Sequence, residues 1–323
     1  MKKTVFVALS VALIASLAPA QAQDYPKRNI TIVSNYPPAG GVDITGRIVG
    51  AELQKRLGQT VVIENRPGAT GTIGASMVAH SAPDGYTMLV TANPAITVMP
   101  FMTKVNYDPV KDLIPVAKVA IAPTIVVVRN ESPFKTFKEL VQAARDPAQK
   151  IMIGVPGVGS SAQIEFGLVN NKMKSNIESV PYRGAAFIVN DVLSGTIPAG
   201  SAAVPAMAAQ IWGGKMRGLV VVSPRRSTIF PELPTVEEAL GFKLDGFPTW
   251  YGFFVPANTP PAIVAMLEKS FLEIMNDPAV VDKMKNIGNE VLLTDAKTFA
   301  QENDAEIATL KKALKETNVS IPQ

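Results

Sequence analysis

Short apolar runs alternate with helix-period stretches from residue 30 onward. Ile30-Thr31-Ile32-Val33 reads as a strand, and Ile44, Ile48, Val49, Leu53 and Leu57 recur at the spacing of a helix with one buried face. Residues 60–63 give a second strand, 72–80 a helix, and 86–91 a third strand after the turn Pro83-Asp84-Gly85. Residues 116–128 are mostly apolar and β-branched but are broken at Ala122-Pro123, which suggests one strand leaving a first domain and another entering a second, with Pro123 as a hinge. A helix at 136–145, a strand at 151–153 and αβ units at 185–193, 204–212 and 216–222 follow. A second apolar crossing at 247–255 leads to helices at 260–275, 278–287 and 295–316, the last expected to be capped by Thr294. Strands alternating with helices point to an α/β protein with parallel, doubly wound sheets, and two crossings imply two lobes facing a cleft. The expected division is 23–122 with 252–323 in one lobe and 123–251 in the other. Such sheets bind ligands at the carboxyl ends of their strands, where loops starting at Ser34, Glu64 and Ala92 would gather.

Composition changes this picture at its edges. The chain has 323 residues, 47% hydrophobic and 18% charged, which is ordinary for a globular protein with a sizeable core. Met1-Lys2-Lys3, an apolar run from Val5 to Leu17 and Ala20-Gln21-Ala22 have the three parts of a secretory signal peptide, so residues 1–22 are expected to be removed and export to the periplasm is expected. That run is too short to span a membrane, and no later segment is long and apolar enough. With no cysteine, disulfides, a lipidated cysteine and thiolate catalysis are excluded. Removing Lys2 and Lys3 takes the 31 basic residues to 29 against 27 acidic ones, and their scatter argues against nucleic acid as a partner. One histidine and no calcium-loop spacing leave no metal site to expect.

The candidate chemistry sits in the loops. Tyr36-Pro37-Pro38-Ala39-Gly40-Gly41-Val42-Asp43 joins a strand to a helix, with Asp43 expected as the N-cap. A second corner, Asn65-Arg66-Pro67-Gly68-Ala69-Thr70-Gly71-Thr72, has G-x-x-G-x-x-G spacing with Gly74. It is neither a dinucleotide fingerprint nor a P-loop, so no nucleotide cofactor is expected. Either the glycines only shape tight turns, or both corners present main-chain N–H groups at the positive end of a helix, an anion site without charged side chains. Each charge-assisted hydrogen bond contributes roughly 1.5–3 kcal/mol and each dipole about 0.3–1 kcal/mol, so four or five suffice for micromolar affinity after the entropy of binding is subtracted. Asn93 stands in the third loop. In the second lobe Gly159, Ser160, Ser161 and Gln163 open a helix, and Tyr182-Arg183-Gly184 precedes another, a third turn that would present amides to the cleft, with Arg183 either pairing with a carboxylate or simply exposed. Thr249-Trp250-Tyr251 lies on the second crossing where a cleft wall should be, its aromatic rings either covering the apolar part of a ligand or, for Trp250, packing in the core. A serine nucleophile at Ser160 or Ser161 would need a base, but the one histidine, His80, is in the other lobe, and Gly157-Val158-Gly159-Ser160-Ser161 is not a G-x-S-x-G elbow.

These segments carry a resemblance. Tyr36-Pro37-Pro38-Ala39-Gly40-Gly41-Val42-Asp43, Val62-Ile63-Glu64-Asn65-Arg66-Pro67-Gly68-Ala69, Ala82-Pro83-Asp84-Gly85-Tyr86, Tyr107-Asp108-Pro109-Val110-Lys111-Asp112, Val180-Pro181-Tyr182-Arg183-Gly184, Leu233-Pro234-Thr235-Val236 and Phe253-Phe254-Val255-Pro256-Ala257-Asn258-Thr259-Pro260 occur in one order. The chain resembles, over nearly all its length after Gln23, the substrate-binding proteins of tripartite tricarboxylate transporters, the Bug family of periplasmic receptors. The resemblance implies a type II periplasmic-binding-protein fold, a monomer that closes like a flytrap on a small organic acid and delivers it to a membrane permease, without catalysis. It implies that the two first-lobe loops hold a ligand carboxylate through amides and bridging waters, while the second lobe sets specificity. Gln163 stands where members often carry histidine, and Ile197-Pro198-Ala199-Gly200-Ser201-Ala202-Ala203 lacks the acidic residue many of them have. An amino-acid ammonium is therefore disfavoured, and an uncharged or apolar tail, or a second carboxylate near Arg183, is expected. A secreted serine hydrolase and a receptor for a sensor kinase are the alternatives.

Overall fold

The computed structural model describes residues 25–244 and 248–317. The expected signal peptide, its cleavage before Gln23 and Phe247 of the second crossing lie outside these residues.

The chain begins with β1 (Ile30–Ser34), α1 (Gly41–Leu57), β2 (Val61–Asn65), α2 (Thr72–Ala79), β3 (Thr87–Ala92), α3 (Met99–Met102) and β4 (Leu113–Ala122). It continues through β5 (Thr124–Arg129), α4 (Phe137–Ala143), β6 (Ile151–Val155), α5 (Ser161–Met173), β7 (Ile177–Pro181), α6 (Ala185–Ser194), β8 (Ala199–Ala203), α7 (Val204–Trp212), β9 (Met216–Val222) and α8 (Val236–Leu240). It closes with β10 (Thr249–Pro256), α9 (Pro261–Met275), α10 (Pro278–Asn286), β11 (Glu290–Thr294) and α11 (Ala296–Thr317). The strands form two sheets, one in the order β11-β4-β10-β3-β1-β2 and one in the order β7-β6-β8-β5-β9.

Both sheets are covered on both faces, which is why their strands read as nearly continuous apolar runs. In the first sheet Ile30, Ile32, Met88, Val90, Tyr251 and Phe253 face one cluster with Val49, Leu53, Leu267 and Phe271, while Val33, Leu89, Trp250 and Phe254 face another with Ala75, Val78 and Phe299. In the second, Val126 and Val128 pack towards Phe137 and Phe166, and Ile125 and Val127 towards Ile188 and Met207.

The sheets are mixed rather than wholly parallel. β10 runs antiparallel to both β3 and β4, and β5 runs antiparallel to β8 and β9. The reason is the double crossing: a chain that leaves a sheet along β4 and returns beside it along β10 must come back in the opposite sense. Pro123 stands between β4 and β5, in the place expected for the first passage. Thr249, Trp250 and Tyr251, expected on the second lobe's side, hydrogen-bond within the six-stranded sheet.

Two expected caps differ. α1 starts at Gly41 with Gly40 as its extended N-cap, and Asp43 sits inside the first turn. α11 is capped by Asp295, whose Oδ1 accepts from Thr298 N at 2.6 Å, while the buried Thr294 hydroxyl has no partner among the described residues. The edge strands β7 and β11 are short and were hidden between stronger helix signals.

The two lobes touch along a seam. Val98, beside α3, and Leu310 and Ala313 of α11 pack against Ile164 of α5, which brings the C-terminal helix of one lobe onto the other.

Candidate functional site

A cavity of about 190 Å³ opens between the sheets, where the strand carboxyl ends meet the starts of several helices. The first lobe contributes Tyr36 to Val42 from the β1–α1 corner, Ala92 and Pro94 after β3, and Thr249 and Tyr251 from β10. The second contributes Thr124, Pro156, Ser160 to Ala162 at the start of α5, Gly184 to Phe187 at the start of α6, and Ala202, Ala203 and Ala206 around the start of α7. None of these lining residues carries a charged side chain. A wider depression of about 680 Å³ between residues 100–111 and α11 is open to solvent and meets no strand end.

The β1–α1 corner is held from behind. Ala39 has a φ of 60°, and its N–H donates to Asp43 Oδ2 at 2.9 Å. Asp43 Oδ1 accepts from Asn65 Nδ2 at 2.8 Å, Asn65 Nδ2 also reaches Tyr36 O at 3.2 Å, and Arg47 Nε donates to Asp43 Oδ2 at 2.9 Å. Burial alone would raise the Asp43 pKa, but the hydrogen bonds from Arg47, Asn65 and Ala39 outweigh it and hold the carboxyl below its ordinary value. Asp43 and Asn65 thus brace the corner and do not line the cavity. Asp43 also occupies the Ala39 amide, so one of the expected anion donors is engaged by the protein itself. The amides of Gly41 and Val42, in the first turn of α1, have no acceptor among the described residues.

The second corner does not open into the cavity. Gly68, Ala69, Thr70, Gly71 and Thr72 are absent from its lining, because the loop folds into a short 3-10 turn over Ala69–Gly71. Gly71 N donates to Gly68 O, Asn35 Nδ2 donates to Gly71 O, and Thr72 Oγ1 donates to Ala69 O. Thr70 instead crosses to the other lobe, its hydroxyl donating to Val158 O at 2.9 Å. Tyr36 OH donates to Thr70 O at 3.2 Å, tying the first corner to this bridge.

In the second lobe Ser160 is the N-cap of α5, its Oγ accepting from Gln163 N at 3.4 Å. Gln163 turns back to accept from Gly159 N at 2.7 Å, so Gly159 and Gln163 shape the loop while Ser160 and Ser161 face the cavity. Asn93 is fully buried behind the wall and donates to Ser161 Oγ at 3.3 Å and to Glu306 Oε1 at 3.0 Å. Glu306 also accepts from Thr97 Oγ1 at 2.6 Å and from Trp250 Nε1 at 2.7 Å. Burial raises the Glu306 pKa, and the donors Thr97, Asn93 and Trp250 offset only part of that. Trp250 therefore points into the packing around Phe254 and Phe299 and not towards the cleft. Its neighbour Tyr251 takes the cleft face, as period-two alternation requires.

Arg183 is exposed, with no partner among the described residues and no place in the lining. The residues after it matter instead: Gly184 is the N-cap of α6 without a side-chain cap, and Gly184, Ala185 and Ala186 line the wall. Tyr182 N donates to Val155 O and its hydroxyl donates to Asp191 on α6 at 2.7 Å, which fixes that corner. Sequence reasoning put Thr249-Trp250-Tyr251 at the cleft wall and singled out the stretch holding Ala202 and Ala203, but it missed Phe187 and the alanines at 162, 185, 186 and 206. The turn at Tyr182-Arg183-Gly184 was legible as one that presents amides, but isolated alanines carry no such signal. His80 is exposed at the end of α2, its Nδ1 against Ser76 O.

The site therefore offers hydrogen-bond donors at helix starts, hydroxyls, and walls of small apolar side chains. It suits an anionic head with an uncharged body. A family model described as tripartite tricarboxylate transporter family receptor matches residues 45–319. Among solved structures, that of the periplasmic binding protein BugD superposes with a TM-score of 0.84 at 29% identity, covering 92% of this chain and 99% of that one. Rpa4515 from R. palustris, solved with adipate, gives 0.86 at 28% identity over 92% and 99%. MatC from Rhodopseudomonas palustris, solved with malate, gives 0.79 at 27% identity over 90% and 100%.

Proposed function

Because the chain belongs to the tripartite tricarboxylate transporter receptor family, we propose that it is a periplasmic receptor that captures a small organic acid between its lobes and delivers it to a membrane permease of that transporter type. The observation that supports this most is a donor-rich cavity of about 190 Å³ with no charged side chain in its lining. The head of the acid sits at the start of α1 and its body lies along Ala202, Ala203 and Ala206. The far end reaches Ser160, Ser161 and the start of α6, where a second carboxylate meets amides and hydroxyls. Adipate and malate, the acids bound in the two R. palustris structures, have this outline. No acidic side chain lines the cavity to pair with an ammonium, which disfavours amino acids. Among the described residues, one lobe comprises residues 25–122 and 249–317 and the other residues 124–244, and the monomer hinges at Pro123 and before Thr249.

Isothermal titration and thermal shift against adipate, malate, benzoate, aspartate and glutamate test the reading. Micromolar binding of at least one acid is expected, with amino acids at least tenfold weaker. At a ligand concentration one hundred times Kd the native state gains about 2.7 kcal/mol. Tight, selective binding of an amino acid would reject the assignment of ligand class, and no binding of any acid would reject the receptor itself. Uptake into vesicles carrying the permease, dependent on added receptor, checks the partner.

A further inference from the structure

Six tyrosines occur in the chain, and five have hydroxyls engaged within the protein. Tyr25 donates to Gly85 O, Tyr36 to Thr70 O, Tyr107 to Ala95 O and Tyr182 to Asp191, while Tyr86 accepts from Lys27 N. Tyr251 is the exception. Its side chain is 3% exposed, it lines the cavity, and its hydroxyl has no partner among the described residues. Facing the cavity, it is free to donate to a molecule held there, which the other five are not.

Its placement is specific. A Cβ built on Gly41 would lie 2.1 Å from the Tyr251 hydroxyl, so the phenol rests on the first residue of α1, beside the unpaired amides of Gly41 and Val42. The register of β10 against β4 slips between Tyr251 and Gly252, an irregularity of the kind that re-aims a side chain next to functional sites. Burial pushes the phenol pKa up, so the group stays protonated and has a hydrogen to give.

We propose that the Tyr251 hydroxyl is the side-chain donor to the bound carboxylate, completing with the Gly41 and Val42 amides a set of three donors that accepts a carboxylate and rejects its amide. The inference rests on the receptor reading above and adds the residue that discriminates the head group. A carboxylate presents only acceptors to these donors, whereas a primary amide turns an NH₂ towards at least one of them and leaves both sides unsatisfied. Because Tyr251 belongs to the strand that re-enters the first sheet, the same hydrogen bond ties occupancy to the crossing between lobes.

The test is Tyr251→Phe, which keeps the ring and its packing. Titration uses the acid that binds the wild type best among adipate, malate and benzoate, together with the corresponding amide. The expected result is a loss of at least tenfold in affinity for the acid, equivalent to about 1.4 kcal/mol, with the amide bound equally weakly by both proteins and the unliganded melting temperature not lowered. A loss smaller than tenfold, or a parallel fall for acid and amide, overturns the proposal. Failure of the wild type to bind any acid is a different outcome, which removes the receptor reading and this inference with it.

Discussion

Asp43 gathers donors from three parts of the chain with one carboxylate: the Ala39 amide ahead of it, Arg47 one turn on, and Asn65 at the end of β2. Its pKa in the folded protein lies below the ordinary carboxylate value, so the native state binds fewer protons than the unfolded one. The stabilisation is therefore complete above the unfolded value, near pH 3.9, and disappears as pH falls through the lower folded value. Asp43→Asn should lose about 1–3 kcal/mol at pH 7 and show a shallower decline in stability below about pH 4, as read by urea denaturation at several pH values. Identical acid limbs in the two proteins would rule this out. The residue was visible in the sequence as an acid at the start of a helix. Its role was not, because an N-cap and a residue three places inside the helix differ only in the backbone of Gly40, which no pattern of side chains reports.

Elements were legible in proportion to their burial. Residues 204–212 and 216–222 read from the sequence as they stand in the fold, since a helix or strand with a closed apolar pattern has one way to pack. Strand direction did not show, because hydrogen-bonding sense leaves no trace in a run buried on both faces. Nor did the seat of α11 on α5, which joins residues more than a hundred positions apart. Leu310 is fully buried in that seam with Val98 and Ile164. Leu310→Ala should lower stability by about 2–5 kcal/mol, measured by chemical denaturation. A cost below about 1 kcal/mol would mean the helix is not docked there.

Among the described residues the lobes meet through polar contacts that include Thr70 Oγ1 to Val158 O, Asn93 Nδ2 to Ser161 Oγ, and Arg225 and the Thr228 amide to Glu290. Thr70 holds a φ of 53°, unfavourable for a β-branched residue and sustained by the surrounding loop. Thr70→Val keeps the shape and removes the donor. The unliganded protein should then show a larger radius of gyration in X-ray scattering, with affinity for the acid lowered roughly three- to tenfold, while Thr70→Ser restores both. An unchanged radius and affinity would show that the contact does not govern closure. The glycine- and proline-rich corners themselves were readable from the linear chain, because their turns depend on φ and ψ within a few residues. Which corners share a cavity was not. The 68–72 corner became a bridge between lobes, and Gly184 to Ala186 took its place at the wall. That choice rests on strand order and on which face of β10 turns inward, both set by contacts between residues far apart in the chain.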